Sequence, residues 1–140
     1  MSAHVYLGLG SNLPGNYDSP LAVVQHAIAT IAALPMTQLI SHSPLIATPA
    51  IGPVQPDYIN CVVAISTTLS PLTLLFKTQQ IEQAFGRSKT IRWGARILDI
   101  DLLTYDDVQL RYESLTLPHP QIDNRPFVKE ALAQLAKGVR

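Results

Sequence analysis

Two serine–proline pairs set the pattern that most constrains how this chain can fold. Ser19-Pro20 and Ser70-Pro71 each combine a residue that caps the start of a helix with a proline that is tolerated at the first helical position. Apolar residues at helical spacing follow the first pair, and that helix is predicted to end at Pro35. The second helix is predicted to continue until Gly86 ends it.

Short apolar runs before, between and after these helices are predicted to be β-strands. They cover residues 5–9, 39–48, 60–67, 97–103 and 108–111, and a last helix is predicted over residues 127–136. Pro44 places the second run at a sheet edge, because proline lacks the N–H that a central strand uses. The order β-α-β-β-α-β predicts a ferredoxin-like α+β fold, with an antiparallel sheet, helices packed on it and a short additional C-terminal helix. We expect a single domain over residues 1–140.

The charged residues are few, and their number excludes some functions. The formal net charge is zero and 14% of residues are charged, so no broad electrostatic surface for nucleic acid or acidic membranes is expected. No apolar run approaches the ~18 residues of a membrane span, and we expect no signal peptide. Cys61 is the only cysteine, which excludes a disulfide framework and fits a reducing cytoplasm.

The charge that the chain does carry is concentrated between residues 87 and 101. Four of the ten basic residues lie between Arg87 and Arg96, and Asp99 and Asp101 follow directly. If residues 97–103 form a strand, both carboxylates point to one face and the intervening aliphatic side chains to the other. Two carboxylates on a rigid face suit Mg²⁺, and guanidinium groups suit the phosphates that such an ion binds. The stretch therefore predicts a Mg-nucleotide site.

Simpler interpretations of these residues stay open at this point. Asp99 and Asp101 also fit the solvent face of an edge strand, and a basic segment is usually a solvated surface. RNA-binding sheets of this type stack bases on strand aromatics, whereas residues 62–65 and 97–103 are aliphatic. A dinucleotide fingerprint fails at Leu13, where a third glycine is required, and no Walker A sequence occurs.

Three further groups of side chains are weak signals when each is taken alone. Tyr58 and Asn60 would face one side of a strand and offer a ring and an amide to a planar heteroaromatic ligand, or simply cap the strand end. Gln79 and Glu82 share a helix face, for which a solvated surface is the better interpretation. His119 lies between two prolines, and a lone loop histidine is more often incidental than functional.

Several motifs together resemble one family, the 6-hydroxymethyl-7,8-dihydropterin pyrophosphokinases of folate biosynthesis. In chain order the motifs are Gly10-Ser11-Asn12-Leu13, Thr48-Pro49, Gln55-Pro56-Asp57-Tyr58-Ile59-Asn60, Glu82 with Gly86-Arg87, Arg92-Trp93-Gly94-Ala95-Arg96, Asp99-Ile100-Asp101, Pro118-His119-Pro120 and Arg125-Pro126-Phe127-Val128. Each motif is weak singly, but the ordered set covers nearly the whole chain and is highly specific.

The resemblance implies transfer of the β,γ-pyrophosphate of ATP to the hydroxymethyl oxygen of the dihydropterin, with release of AMP. It implies that Asp99 and Asp101 hold two Mg²⁺ ions, and that Arg87 and Arg96 stabilise the transition state. The ATP-binding positions that it implies are Gln79, Glu82, Arg87, Lys89, Arg92, Trp93, Arg96, Leu102, Thr116, His119 and Arg125. The implied pterin-binding positions are Thr48, Pro49, Ile51, Tyr58, Asn60, Trp93 and Phe127, with the pterin ring between Tyr58 and Phe127.

The main departure from the family pattern is Ala95, which stands where the family usually has proline. Alanine relaxes a backbone restriction that proline imposes, so the loop over residues 87–95 would be positioned less tightly. A loop that closes over both substrates would also exclude water. The alternative function is a non-catalytic relative that binds pterin or nucleotide. We expect the active enzyme to be a cytoplasmic monomer.

Overall fold

The computed structural model of the protein describes residues 2–50, 54–86 and 96–138. The elements in chain order are β1 (Ala3–Ser11), α1 (Pro20–Ala32), β2 (Thr37–His42), β3 (Ile46–Thr48), β4 (Tyr58–Thr67), α2 (Pro71–Ala84), β5 (Asp99–Tyr105), β6 (Leu110–Arg111), β7 (Thr116–Leu117) and α3 (Pro126–Gly138), with a 3₁₀ turn at Ile122–Asn124 before α3.

The sheet is built around its first strand. β1 pairs antiparallel with β4 on one side and with β5 on the other, and β2 and β3 both pair with the far side of β4. The strand order is therefore β2-β4-β1-β5, and β6 and β7 form a separate hairpin. This arrangement confirms the ferredoxin-like α+β fold predicted from the sequence. The extent of the domain over residues 1–140 stays a prediction.

Helices cover both faces of the sheet. α1 and α2 pack on one face, where their apolar side chains join Val63 and Ile65 of β4 in the larger core. α3 packs on the opposite face, against Val62 and Ala64 of the same strand. Because β4 is buried on both faces, its sequence contains a continuous apolar run rather than alternating apolar and polar residues. No helix within the described ranges is long and apolar enough to cross a membrane.

Both predicted helix starts are confirmed, whereas the predicted end of the first helix is wrong. The Ser19 side chain accepts a hydrogen bond from the N–H of Ala22 at 3.1 Å, and the Ser70 hydroxyl accepts one from Thr73 at 3.3 Å. α1 ends at Ala32 rather than at Pro35. The chain then turns through Met36, whose positive φ of 53° directs it back into β2.

The predicted edge strand over residues 39–48 is two strands, because the pairing with β4 is interrupted. The buried residue Ser43 makes both hydrogen bonds to Val62 of β4 at this point. Its N–H donates to the carbonyl of Val62 at 2.8 Å, and its hydroxyl accepts from the N–H of Val62 at 2.8 Å. Pro44 follows and has no N–H to donate. The side chain of Ser43 thus completes the hydrogen bonds that a regular strand would have made with its backbone.

β5 contains a bulge that the sequence did not predict. Leu102 pairs with Leu7 and Thr104 pairs with Tyr6, so Leu103 is an extra residue opposite β1. The carbonyl of Leu103 accepts a hydrogen bond from the N–H of His119 at 2.8 Å. The bulge therefore fixes the segment that carries His119 against the same strand that carries the carboxylates.

Candidate active site

One cavity brings together most of the described residues that the sequence singled out. Its volume is about 290 Å³, and it lies on the α3 side of the sheet, where β1, β4 and β5 meet the start of α3. The lining residues that the sequence predicts to bind ligands or to act in catalysis are Thr48, Pro49, Tyr58, Asn60, Arg96, Asp99, Asp101, Arg125 and Phe127. The remaining lining residues are Gly8, Leu9, Gly10, Cys61, Leu103 and Val128.

The floor of this cavity is a row of paired residues across three strands. Gly10 of β1 pairs with Asn60 on one side and with Asp99 on the other, and Gly8 pairs with Asp101. Neighbouring strands are roughly 4.8 Å apart, so the backbones that carry Asn60 and Asp99 are separated by about 10 Å. Because the middle strand has no side chain at Gly10, a flat ligand has room between an amide side and a carboxylate side.

Strand alternation places the carboxylates as predicted. Asp99 and Asp101 both line the cavity, while Leu98, Ile100 and Leu102 are buried in the core on the other face. β5 is an edge strand, as the simpler interpretation requires, but its two partly exposed carboxylates also line a cavity.

Asp101 is surrounded by basic groups from the segment before α3. Its Oδ2 lies 3.1 Å from Nη1 of Arg125, which donates a hydrogen bond to it. Its Oδ1 lies 3.9 Å from Nε2 of His119. Nδ1 of His119 accepts from the N–H of Gln121 at 3.1 Å, so in the neutral ring Nε2 carries the proton and faces the carboxylate. The His119 segment, a weak signal when taken alone but an implied ATP-binding position by resemblance, lies at the edge of the site.

Burial affects the protonation of His119 more strongly than the neighbouring charges do. Its pKa is lowered from the ordinary value chiefly by burial, with Arg125 adding to the decrease and Asp101 opposing it. The ring is therefore neutral at physiological pH and offers a hydrogen-bond donor at Nε2 rather than a full positive charge. Arg125 is then the fixed cation nearest to Asp101 among the described residues.

Asp99 and Asp101 are the described residues that could hold a divalent cation. Carboxylate oxygens are the ligands that Mg²⁺ prefers, and one or two of them suffice when substrate phosphates complete the coordination. Within residues 2–50, 54–86 and 96–138, no group of three or more His, Cys, Asp or Glu side chains is placed to enclose a metal. The donor set therefore fits an ion that shares its ligands with a bound polyphosphate better than an ion enclosed by protein.

The side of the cavity opposite the carboxylates is lined by two aromatic rings and an amide. The amide Nδ2 of Asn60 donates a hydrogen bond to the hydroxyl of Thr48, and these residues belong to the paired strands β4 and β3. Tyr58 and Phe127 are half-buried and line the cavity from β4 and from the start of α3. Two rings, an amide and a hydroxyl suit a planar heterocycle with polar edges.

Cys61 also lines this side of the cavity but has no reactive thiol. Burial raises its pKa to about 12, so the thiolate that would act as a nucleophile is essentially absent near neutral pH. Nucleophilic catalysis by this cysteine is therefore disfavoured, and its small side chain contributes to packing of the core.

Glu82 corrects the interpretation of the second helix as a solvated face. Its side chain is 8% exposed, and its Oε2 accepts a hydrogen bond from the N–H of Ile100 at 2.8 Å. Gln79 on the same helix is exposed, so the two residues do not share an environment. Glu82 thus binds the backbone of β5 at Ile100, which lies between Asp99 and Asp101 and has its own side chain buried in the core.

The remaining sequence-predicted positions are not brought into the cavity or lie outside the described residues. Leu102 is buried in the core and Thr116 is half-buried in β7, so neither side chain lines the cavity. The residues that fall outside the described ranges are Ile51, Arg87, Lys89, Arg92, Trp93 and Ala95. Their roles, and the closure of residues 87–95 over the substrates, stay predictions.

Sequence reasoning missed the role of the β1 exit. Gly8 and Gly10 of β1 line the cavity, and Asn12, which follows β1, is 1% exposed with its side chain hydrogen-bonded to two distant segments. Two glycines at i and i+2 inside a strand are a signal for a ligand or backbone that approaches closely. The partners of Asn12 are 43 and 84 residues away in sequence, so no local pattern indicates them.

Comparison with known proteins places this site in a family. The family model described as 7,8-dihydro-6-hydroxymethylpterin-pyrophosphokinase (HPPK) matches residues 6–137. Three similar proteins are all named 2-amino-4-hydroxy-6-hydroxymethyldihydropteridine pyrophosphokinase. The protein of Haemophilus influenzae is 41% identical over 94% of this chain and 80% of its own length, and that of Pseudomonas aeruginosa is 40% identical over 100% of this chain and 85% of its own length.

The third relative, from Synechocystis, is a longer protein. It is 43% identical over 93% of this chain, and the matched part is 65% of its length, just under two thirds. The match to the family model runs from β1 into α3 and includes every cavity-lining residue named above. This chain belongs to the 7,8-dihydro-6-hydroxymethylpterin-pyrophosphokinase family.

Proposed function

We propose that this protein transfers pyrophosphate to 6-hydroxymethyl-7,8-dihydropterin in folate biosynthesis, the activity for which its family and relatives are named. ATP is the donor of the β,γ-pyrophosphate, AMP is the second product, and Mg²⁺ is the cofactor. The observation that carries this proposal is a cavity in which a carboxylate pair and an aromatic amide pocket lie on opposite sides of Gly10.

The pterin occupies the side formed by β3, β4 and the start of α3. Tyr58 and Phe127 contact the two faces of the ring, and Asn60 and Thr48 bond to its polar edge. The mutual hydrogen bond of Asn60 and Thr48 supports this assignment, because it fixes the amide in one orientation before the ligand arrives. A preorganised edge of this kind discriminates strongly against rings that lack the matching groups.

The triphosphate occupies the carboxylate side. Asp99 and Asp101 would hold the metal, two ions being the number that the resemblance implies, and a bound metal would neutralise charge on the phosphate oxygens. Arg96 and Arg125 line the same side and present guanidinium groups, which pair with phosphate oxygens in two parallel hydrogen bonds. The ion pair between Arg125 and Asp101 is half-exposed, so either group is free to exchange its partner for a ligand at little cost.

Such a site performs pyrophosphoryl transfer by position and charge rather than by a covalent intermediate. The substrate oxygen must lie in line with the phosphorus under attack, and the cavity achieves this by holding the ring and the phosphates on opposite sides of one glycine floor. Negative charge spreads over the phosphate oxygens in the transition state, where the guanidinium of Arg96 stabilises it. The cytoplasmic location and the monomeric state expected from the sequence stay predictions.

Formation of AMP tests the proposal directly. The protein is mixed with ATP, Mg²⁺ and 6-hydroxymethyl-7,8-dihydropterin, and the nucleotide products are separated. AMP that depends on both pterin and metal supports the proposal, whereas ADP would overturn the type of transfer. No turnover, combined with binding of pterin or ATP by calorimetry, would favour the non-catalytic relative instead.

Replacing Asp101 by alanine is expected to abolish Mg²⁺-dependent formation of AMP. The change removes one of two metal-binding carboxylates at a half-exposed position, so the fold should persist. Asp123→Ala is the matched control, because that carboxylate is 89% exposed in a surface ion pair with Lys129. Steady-state assays over a range of Mg²⁺ concentrations measure the effect, and full activity of Asp101→Ala would contradict the metal assignment.

Replacing Arg96 by alanine is expected to lower the rate of AMP formation by about two to three orders of magnitude, the usual cost of removing a charged transition-state contact. The pterin affinity of the free site should stay nearly unchanged, because Arg96 lies on the carboxylate side and its backbone remains bonded to Asn12. Arg111→Ala, at the exposed residue of β6, serves as the control. A normal rate combined with weak pterin binding would show that the assigned role is wrong.

Gly10→Ala is expected to weaken pterin binding about tenfold or more. A Cβ at this position would lie 2.8 Å from Oδ1 of Asn60, so the amide must rotate away from Thr48 and lose its fixed orientation. Gly8→Ala is a close control on the same strand face, because its Cβ would meet Leu103 at an ordinary 3.5 Å. Calorimetric titration with the pterin compares the two variants, and equal losses would contradict the role given to Asn60.

A further inference from the structure

Ser43 fixes the chain between β2 and β3 to a single residue of β4. Its N–H donates to the carbonyl of Val62 and its hydroxyl accepts from the N–H of Val62, each at 2.8 Å. The hydroxyl also donates to the carbonyl of Pro44 at 3.4 Å. The residue is 4% exposed, so a buried side chain makes a bond here that a regular strand would make with its backbone.

These bonds lie where the register of the sheet changes. The last pair of β2 joins His42 to Val63, and the first pair of β3 joins Ile46 to Asn60. Three connecting residues therefore stand opposite two residues of β4, which leaves one extra residue, as in a bulge. Because side chains alternate along a strand, the extra residue determines which face of the sheet each side chain of β3 occupies.

The pterin side of the cavity depends on this register, because it places Thr48 on the ligand-facing side of the sheet. Thr48 pairs with Tyr58, and its hydroxyl accepts a hydrogen bond from the amide of Asn60. All three residues line the cavity. A slip of β3 by one residue would turn the Thr48 hydroxyl to the opposite face and take this partner away from the amide.

Packing alone gives little support to β3. The strand has three residues, of which Ile46 and Ala47 are exposed, and it pairs with β4 alone among the described strands. A second cavity of about 240 Å³ lies beside it, lined in part by Ser43, Ile46 and Asn60. A short, exposed strand next to a void gains little from burial of apolar surface, so its hydrogen bonds hold the register.

We propose that Ser43 is a positioning residue for the pterin, which fixes the register of β3 and thereby holds Thr48 against Asn60. The inference rests on the proposed function, since it takes this side of the cavity to bind the pterin. The apparent pterin affinity is reduced in proportion to the fraction of molecules that have Thr48 in place. The carboxylates belong to β5, so the affinity for Mg-nucleotide should not depend on Ser43.

Two substitutions of similar shape isolate the Ser43 hydroxyl. Ser43→Thr keeps it and adds a methyl group, which the second cavity can accommodate. Ser43→Val has the same shape as Ser43→Thr but leaves the N–H of Val62 without its partner. Thr67→Val is the matched control, because it removes a hydroxyl of β4 that is 1% exposed. That hydroxyl bonds to Leu69 and Met36, at the end of β4 away from the cavity.

Calorimetric titrations measure the dissociation constant of the pterin and, separately, that of a non-hydrolysable ATP analogue with Mg²⁺. We expect Ser43→Val to weaken pterin binding by about tenfold, while binding of the ATP analogue stays within about twofold of the wild type. Ser43→Thr should retain the wild-type affinity for both ligands. Thr67→Val should lower the melting temperature without changing either dissociation constant.

A double-mutant cycle with Thr48 tests the route of the effect. Thr48→Val removes the hydroxyl that the Asn60 amide binds, so Ser43→Val should add little to the loss of pterin affinity in that background. Fully additive losses would overturn the inference, as would a wild-type pterin affinity of Ser43→Val. If Ser43→Val does not fold, Ser43→Ala takes its place in both comparisons, because water in the adjoining cavity can then reach the N–H of Val62.

The outcomes distinguish this inference from the proposed function. A wild-type protein that forms AMP, combined with a Ser43→Val variant that loses pterin and nucleotide affinity equally, would leave the function intact. It would also show that Ser43 supports the fold as a whole, which would overturn the inference. A wild type that binds no pterin, or that forms no AMP, would overturn the proposed function on which the inference rests.

Discussion

The structure depends on the double pairing of its first strand. Every residue of β1 pairs with β4, and Val5 to Gly10 pair with β5 as well, so three strands that are far apart in sequence become one surface. Leu7 and Leu9 face the core on one side of that surface, while Gly8 and Gly10 face the cavity on the other. The alternation of side chains along β1 thus provides both the buried leucines and the glycine floor of the cavity. A shift of the pairing register by one residue would exchange the two faces and disrupt both.

The two ligand-facing sides of the cavity have different physical characters because different strands supply them. β5 contributes carboxylates that are partly exposed and matched by Arg125, where exchange of partners is inexpensive. β4 contributes a ring and an amide that β3 and α3 cover, where hydrogen bonds are fixed in advance. A charged, adaptable side and a rigid, shape-selective side suit the two unlike substrates of a pyrophosphokinase.

Local patterns predicted the features that depend on neighbouring residues. The caps at Ser19 and Ser70 and the common face of Asp99 and Asp101 follow from the order of the residues alone, and each is present. The ordered family motifs identified the composition of the cavity well, because almost every described lining residue outside β1 lies in or beside one of them.

Features that depend on distant partners could not be predicted in this way. The bulge at Leu103 is defined against β1, and the division of the predicted edge strand depends on bonds between Ser43 and Val62. Glu82 looked solvated because its partner, the N–H of Ile100, lies on another element. In each case a backbone group finds its hydrogen bond across the fold, and sequence periodicity carries no information about such bonds.

The extra residue in β5 shifts the alternation of side chains between the two faces of the sheet by one position. Before the bulge, Asp99 and Asp101 face the cavity; beyond it, Leu103 and Thr104 lie on the same face, and Tyr105 returns to the core side, where its hydroxyl donates to the carbonyl of Leu69 at 2.5 Å. Without the extra residue, Tyr105 would share the face of Asp99 and Asp101, from which it is an even number of residues away. One inserted position therefore lets a single strand direct acidic side chains into the ligand cavity and an aromatic side chain into the opposite core.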